Sequence, residues 1–436
     1  MSQASQTAPN ISVVSATDLL YRKIAWRIMP ILFVSYIIAY LDRVNVGFAK
    51  LQMLGDLKFS ESVYGFGAGI FFLGYFIFEV PSNLILHRLG ARVWICRVLI
   101  TWGIVSACTA LVRTPWEFYT VRFLLGLAEA GFFPGMILYL TYWFPSNRRA
   151  KMMAVLMAGN PVSGIIGGPL SGYILHYFSG SRHIGGWQWL FIIEAIPAVI
   201  LGVIILFYLD DRVITAKWLS DKEKAAVAAD ILHEANSKTH HTVRSVFTSP
   251  RVWLMAAIYF CITSGSYALG FWQPTIIRQS GVKDPFSIGL LTMVPYTLAL
   301  ISMILVGRHA DKTRERRWHV VVPGIVAAIG FILCAQAGSS TLIAMTGLTM
   351  AVVGIVTALP MFWALPTSFL GGTAAAAGIA LVNCTGNLGG FFSPAIIGFL
   401  KTYTGTLNSG LFMVCGCMLM SSILIATLVP AKLVNH

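Results

Sequence analysis

Twelve stretches of mostly apolar residues, each long enough to cross a bilayer as a helix, constrain this chain more than any other feature. A crossing helix needs about 20 such residues. The stretches lie near 25–47, 63–86, 93–112, 117–141, 152–177, 188–209, 252–277, 287–307, 319–337, 341–365, 375–400 and 407–430. Barrel strands would be half as long and would alternate polar with apolar, so only helices fit. Composition agrees. Of 436 residues, 57% are hydrophobic and 11% charged, against roughly 25% charged in a soluble domain. Twelve Trp, 15 Tyr and 27 Phe suit repeated meetings with membrane–water interfaces. The expected class is an all-α polytopic membrane protein, which excludes an ordinary soluble enzyme.

The net charge of +14 is a matter of topology. Of 31 Lys and Arg, 21 fall on the side that holds both chain ends and 7 on the other, Arg182 among the 7 and Lys432 among the 21. By the positive-inside rule both ends face the cytoplasm, and no nucleic acid is needed to explain the surplus. The first 20 residues lack the cationic start, apolar run and cleavage site of a signal peptide, so the first span is expected to stay in the membrane. The seven Cys have no metal-type spacing and read as small apolar residues.

The expected organisation is a cytoplasmic tail (1–24), six helices (25–209), a polar connector (210–251), six more helices (252–430) and a short tail (431–436). Residues 220–235 of the connector read as an amphipathic helix on the membrane surface. The halves repeat. Asn83-Leu-Ile-Leu-His87-Arg88-Leu-Gly90-Ala-Arg92 after span 2 corresponds to Gly307-Arg-His-Ala-Asp311-Lys312-Thr-Arg-Glu-Arg316 after span 8. His87 and Asp311 are 224 apart, Pro134 and Pro360 226, and Pro169 and Pro394 225. A parallel repeat of two six-helix units is the arrangement of a rocking transporter with its site between the halves.

These degenerate copies of a G-x-x-x-D-[RK]-x-G-[RK]-[RK] turn, with six plus six spans, resemble the major facilitator superfamily. Within it, Tyr40-Leu-Asp42-Arg43-Val-Asn45-Val-Gly47, Glu129-Ala-Gly-Phe-Phe-Pro134-Gly, Trp143-Phe-Pro145 and Gly186-Trp-Gln-Trp-Leu-Phe-Ile-Ile-Glu194 are similar to the anion:cation symporter family. The similarity is greatest to its bacterial branch, which carries tartrate, phthalate, nicotinate, hydroxyphenylacetate and sugar acids. It implies a bacterial inner-membrane protein. His87 departs from the Asp usual in the first turn and puts that turn's charge network in doubt. Arg88, Gly90, Asp311 and Lys312 are the expected gating elements of the two turns.

An ionisable side chain at mid-membrane costs about 2.5–3.5 kcal/mol on insertion scales, so it has a reason to be there. Asp42, Arg43, Glu79, Arg122, Glu129 and Glu194 lie well within spans, all in the first half. The second half offers neutral polar groups, including Tyr267, Gln273, Tyr296, Trp363, Asn383 and Asn387. Arg122 and Glu129 are seven apart, on one helical face. A guanidinium stays charged and grips a carboxylate bidentately, which makes Arg43 and Arg122 candidates for binding an organic anion. Asp42 and Glu129 are the candidate proton-coupling acids, as the family resemblance also implies. Protonated, they would free the arginines for substrate.

Further substrate contacts are expected from Tyr75, Tyr267, Gln273, Trp363, Asn383 and Asn387. Each has a blander reading: Asp42 and Arg43 as a static pair, Trp363 and Asn383 as helix packing, Asn387 with Asn160 as a symmetric packing feature. Glu79 reads as a gate or packing contact and Glu194 as structural. His176, His183 and His319 read as solvated. Gly164-x-x-x-Gly168-x-x-x-Gly172 and Gly386-x-x-x-Gly390 are expected to bring the halves into contact.

The expected function is proton-coupled uptake of a small organic anion by alternating access. The partners are the anion, protons and the lipid bilayer, and the protein acts as a monomer. An organic-anion exchanger or exporter without proton coupling is the second transport reading. A ligand sensor is disfavoured because no signalling domain is attached at either end. No P-loop, HExxH or GxSxG is present, so nucleotide hydrolysis, a cofactor, a metal and an enzymatic role are all unexpected; the proton gradient is the energy source.

Overall fold

The computed structural model describes residues 16–180, 184–236, 247–369 and 372–431. Arg182, His183, Lys432, most of both tails and residues 237–246 of the connector lie outside the described residues. The described residues are helical, with no strand among them.

The first half runs α1 (Ala16–Leu57), α2 (Glu61–Leu89), α3 (Ala91–Cys108), α4 (Pro115–Glu129), α5 (Phe132–Thr141), α6 (Ser146–Met157), α7 (Gly159–Tyr177) and α8 (Gly186–Tyr208). The connector holds α9 (Asp221–Asn236). The second half comprises α10 (Pro250–Gln279), α11 (Pro285–Thr313), α12 (Trp318–Gln336), α13 (Thr341–Phe369), α14 (Gly372–Asn387), α15 (Gly389–Thr404) and α16 (Asn408–Leu428). Among the described residues, eleven helical segments are long and apolar enough to cross a membrane. The pair α14 and α15, each too short alone, supplies a twelfth crossing.

Three spans expected to be continuous are broken, for local reasons. Span 4 splits into α4 and α5 at Ala130 and Gly131, and Gly131 holds φ +82, where a side chain is strained. Span 5 divides at Ala158 and span 11 at Leu388. Helix starts are set by caps. Thr114 and Glu117 cap α4 reciprocally with Pro115 at its first position, and Asp284 caps α11. Helix α1 extends well past the expected end at 47, which carries Lys50 into a buried position.

Both described ends lie on one face, here termed the terminal face; the turns near residues 58–60, 178–180, 280–284 and 405–407 form the opposite face. Near that opposite face the halves meet backbone to backbone. A Cβ on Gly289 would lie 2.3 Å from the Gly168 carbonyl oxygen, and one on Gly65 would lie 2.3 Å from that of Pro394. Gly65 and Gly289 are 224 apart in sequence, so the two close approaches are equivalent positions of the repeat. The glycines of span 5 thus join the halves as expected. On span 11 the contact runs through Gly390 against Phe72 and Gly398 against Gly65, whereas Gly386 packs on Tyr259 of its own half.

Helix α9 is found where expected, but it is tied to α1. Tyr21 donates to Asp230 at 2.9 Å and Lys23 pairs with Glu223 at 2.9 Å. Trp218, just before it, stacks on Trp143 at 5.7 Å.

Candidate functional site

Helices α1, α2, α4 and α10 converge on Arg43. The Arg43 guanidinium donates through Nη1 to the Tyr267 hydroxyl at 3.1 Å and through Nη2 to Glu129 Oε1. It is buried, with the rings of Tyr40, Phe71 and Tyr75 at 5.2, 5.4 and 5.5 Å. Glu129 reaches it because α4 ends there; the Gly131 break turns the chain away directly afterwards. Glu129 Oε2 is buried with no hydrogen bond among the described residues. Arg43 therefore bridges both halves and holds a carboxylate that itself has unused capacity.

Asp42 departs from expectation. It does not meet Arg43; successive residues of a helix point apart, and its carboxylate accepts from Trp102 Nε1 at 2.7 Å and Ser106 Oγ at 3.4 Å. The static-pair alternative for Asp42 and Arg43 falls with that observation. Arg122 is fully buried on the same face of α4 as Glu129, and its three guanidinium nitrogens have no hydrogen bond among the described residues. The Phe71 ring lies 5.2 Å from it and 5.4 Å from Arg43, so one aromatic ring sits against both cations.

Two neighbouring cavities lie between the halves. The larger, about 770 Å³ of empty space that includes its opening to solvent, is walled by Arg43, Tyr75, Tyr267, Trp363, Asn383 and Asn387, all expected from sequence. Tyr36, Tyr40, Asn160 and Tyr259 complete it. The smaller, of about 600 Å³, shares Tyr40, Asn160 and Tyr267 and adds Gln273, Ser171, Thr292 and Tyr296. Asp42 and Arg122 line neither; they stand behind the wall. Asn160 and Asn387, matched in the repeat, both face the larger cavity. Tyr36, Tyr40 and Tyr259 were missed in sequence because aromatics occur in every span; the α1 pair, Tyr36 and Tyr40, carries the one usable signal, sharing the helical face of Arg43 at i−7 and i−3.

Glu79 does not line the larger cavity but bonds to Asn383 of its wall. It is buried and accepts from Asn383 Nδ2 at 3.0 Å and Cys384 Sγ at 3.2 Å, bonds that cross between halves. At the terminal face, Arg88 is exposed and Gly90 has φ +90. A Cβ on Gly90 would lie 2.8 Å from Asp211 Oδ1, the atom that accepts from the Arg92 N–H at 2.8 Å. The carboxylate that anchors this turn comes from the connector. Asp311 and Lys312 are exposed near the end of α11. His176 and His319, expected to be solvated, are both paired, with Asp284 and Glu315. No group of three metal-type ligands occurs among the described residues.

Comparison with known proteins agrees with this architecture. The family model described as Major Facilitator Superfamily matches residues 32–394. The chain is 47% identical over 435 residues to the putative metabolite transport protein NicT of Pseudomonas putida, covering 99% of each. It is 49% identical to a putative tartrate transporter of Agrobacterium vitis, covering 92% of this chain and 93% of that one. Its fold is similar to the partially occluded inward-open xylose transporter XylE of Escherichia coli, with TM-score 0.76 at 15% identity over 94% of this chain and 98% of that one. The fold, its twelve crossings and the match across most of its length have one consequence: the chain is a multi-pass membrane transporter that belongs to the major facilitator superfamily.

Proposed function

We propose that this transporter takes up a small organic anion together with protons, by alternating access, in a bacterial inner membrane with both chain ends in the cytoplasm. One observation carries the reading: Arg43, facing a cavity between the halves, is occupied by Glu129 from its own half and by Tyr267 from the other. Protonating Glu129 removes the anion that competes for the guanidinium, and a substrate carboxylate takes its place. Losing the proton restores the Glu129 bond and expels the substrate. Arg122 stabilises the anion at longer range, from behind Phe71. Asp42 is the second proton-binding acid. Tyr75, Tyr267, Trp363, Asn383 and Asn387 contact the substrate directly, Gln273 from the adjoining cavity. Glu79 and the two turns, with Arg88, Gly90, Asp311 and Lys312, govern opening. A six-helix unit on each side of the connector moves as one body.

The names of the relatives support a carboxylate substrate, of which tartrate, phthalate, nicotinate, 4-hydroxyphenylacetate and hexonates are the panel to test. Purified protein in liposomes with an imposed inward proton gradient should accumulate a member of that panel, and a protonophore should abolish the accumulation. Glu129→Gln should still exchange substrate across the membrane but should not accumulate it. Accumulation by wild type that ignores the gradient would overturn the coupling and favour an exchanger.

A further inference from the structure

The function above leaves one buried acid without a task. Glu194, on α8, is buried, and Ser171 Oγ of α7 donates to its Oε1 at 2.7 Å. Its Oε2 is buried with no hydrogen bond among the described residues. Asn45, buried on α1 one turn beyond Asp42, faces the same carboxyl. Glu194 lies within electrostatic range of Asp42, as does Glu129 from α4.

The surroundings of this pair are neutral. The helices packed against α8 are α1, α3 and α7. They present Asp42 and Asn45, Trp102 and Ser106, and Ser171 respectively. None of these is cationic. Arg122 makes no hydrogen bond to Asp42, and no cation bonds either acid among the described residues. Two adjacent carboxylates buried without a cation repel one another and lose their hydration, a cost that bound protons remove. Ser171 also lines the smaller cavity, so a single hydroxyl separates Glu194 from the space between the halves.

We propose that Glu194 is a third proton-binding acid of the transport cycle, loaded from the smaller cavity through Ser171 and linked by charge repulsion to Asp42. In the loading step the Ser171 hydroxyl gives its proton to Glu194 Oε1 and takes one from a hydronium ion in the cavity, which departs as water, leaving serine unchanged. An unloaded Glu194 places a negative charge within reach of Asp42. The two acids thereby titrate as a pair and not independently. This rests on proton coupling as proposed above, and its test has an arm that does not.

That arm is infrared difference spectroscopy of the whole protein in liposomes, without substrate, comparing acidic with neutral buffer. Wild type should show the carbonyl band of a buried protonated carboxyl; Glu194→Gln should lack part of it, and Asp42→Asn should shift what remains. The second arm is gradient-driven uptake of whichever panel acid the wild type accepts. Each coupled proton adds about one unit to the slope of log uptake against pH, so Glu194→Gln should flatten the profile by about one. Ser171→Ala, a milder change should Glu194→Gln not fold, should slow loading without removing the band. A Glu194→Gln spectrum identical to wild type overturns the inference, whatever the substrate. Wild-type uptake that is blind to the gradient while the band is present overturns symport alone.

Discussion

Glu61 joins the halves at the face opposite the chain ends: its Oε1 accepts from Lys401 Nζ at 2.5 Å. Its Oε2 lies 2.7 Å from Lys50 Nζ, which is buried 3.5 Å from the centre of the Trp272 ring. Glu61 stands in the first turn of α2 and Lys401 in the last turn of α15, the positions at which helix dipoles favour an anion and a cation. One carboxylate therefore holds two ammonium groups.

Glu61→Gln should open that face. It leaves both lysines without an anion, a loss of about 1–3 kcal/mol, or roughly ten- to a hundredfold in the balance of states. The Ser62 and Thr402 hydroxyls are 2.7 Å apart beside the latch. A Ser62→Cys, Thr402→Cys pair, made with the native cysteines replaced, should cross-link readily, and adding Glu61→Gln should lower the yield. An unchanged yield would show that glutamate does not hold this face shut.

The glycine contacts make a harder prediction. A Cβ at Gly65 or Gly289 would meet a carbonyl oxygen at 2.3 Å, far inside van der Waals contact, and neither backbone can yield without parting the halves. Gly65→Ala and Gly289→Ala should fold yet fail to close, so that uptake is lost and the cysteine pair cross-links poorly. Gly416, with nothing within 4 Å of its Cβ position, is the matched control, and Gly416→Ala should behave as wild type.

How much of this was legible in the sequence depends on the kind of information involved. Hydrophobic runs and the 224-residue offset between His87 and Asp311 report periodicity and repetition, and those fix the fold class and the pairing of helices. Arg43 and Glu129 were findable because charge in apolar sequence is expensive. The direction of Asp42 was not, since it depends on which neighbour fills the adjacent face, and Trp102 lies 60 residues away. Lys50 lies beyond the end of the first span expected at 47 because the helix outlasts its apolar run, and its partners, Glu61 and Trp272, come from other helices. The helix break at Leu388 carries no Pro or charge to announce it, whereas the one at Ala158 precedes Pro161, whose missing N–H cannot bond back to Met157.

Tyr267 should matter for affinity. Its hydroxyl accepts from Arg43 at 3.1 Å, and Phe in its place leaves one guanidinium arm unbonded. A hydrogen bond to a charged group contributes about 1.5–3 kcal/mol, so Tyr267→Phe should raise the KM of uptake by roughly tenfold or more. Arg43→Lys should cost more, because a single ammonium cannot hold Glu129 and Tyr267 in one planar fork. Equal KM values for Tyr267→Phe and wild type would remove Tyr267 from the site.

Acid should loosen the cap of α11. Asp284 accepts from the Ser287 N–H and Oγ, each at 2.8 Å, and from the His176 ring of α7 at 2.6 Å. The Ser287 bonds, chiefly, with His176 adding, hold its carboxyl down to about 2, against about 3.9 for an ordinary aspartate. A depressed carboxyl stabilises the fold above its unfolded value and loses that effect as pH falls through the folded one. The contribution should thus be full above about pH 4 and vanish as pH approaches 2. Its size comes from the cap, since the His176 pair is well exposed and screened. Asp284→Ala should cost about 1 kcal/mol, and Asp284→Asn, which can still cap, should cost less. Thermal unfolding in detergent at pH 7, 4 and 2.5 would check this: the gap between wild type and Asp284→Ala should narrow only in the last interval. A gap of constant width would mean that the carboxylate charge plays no part in holding α11.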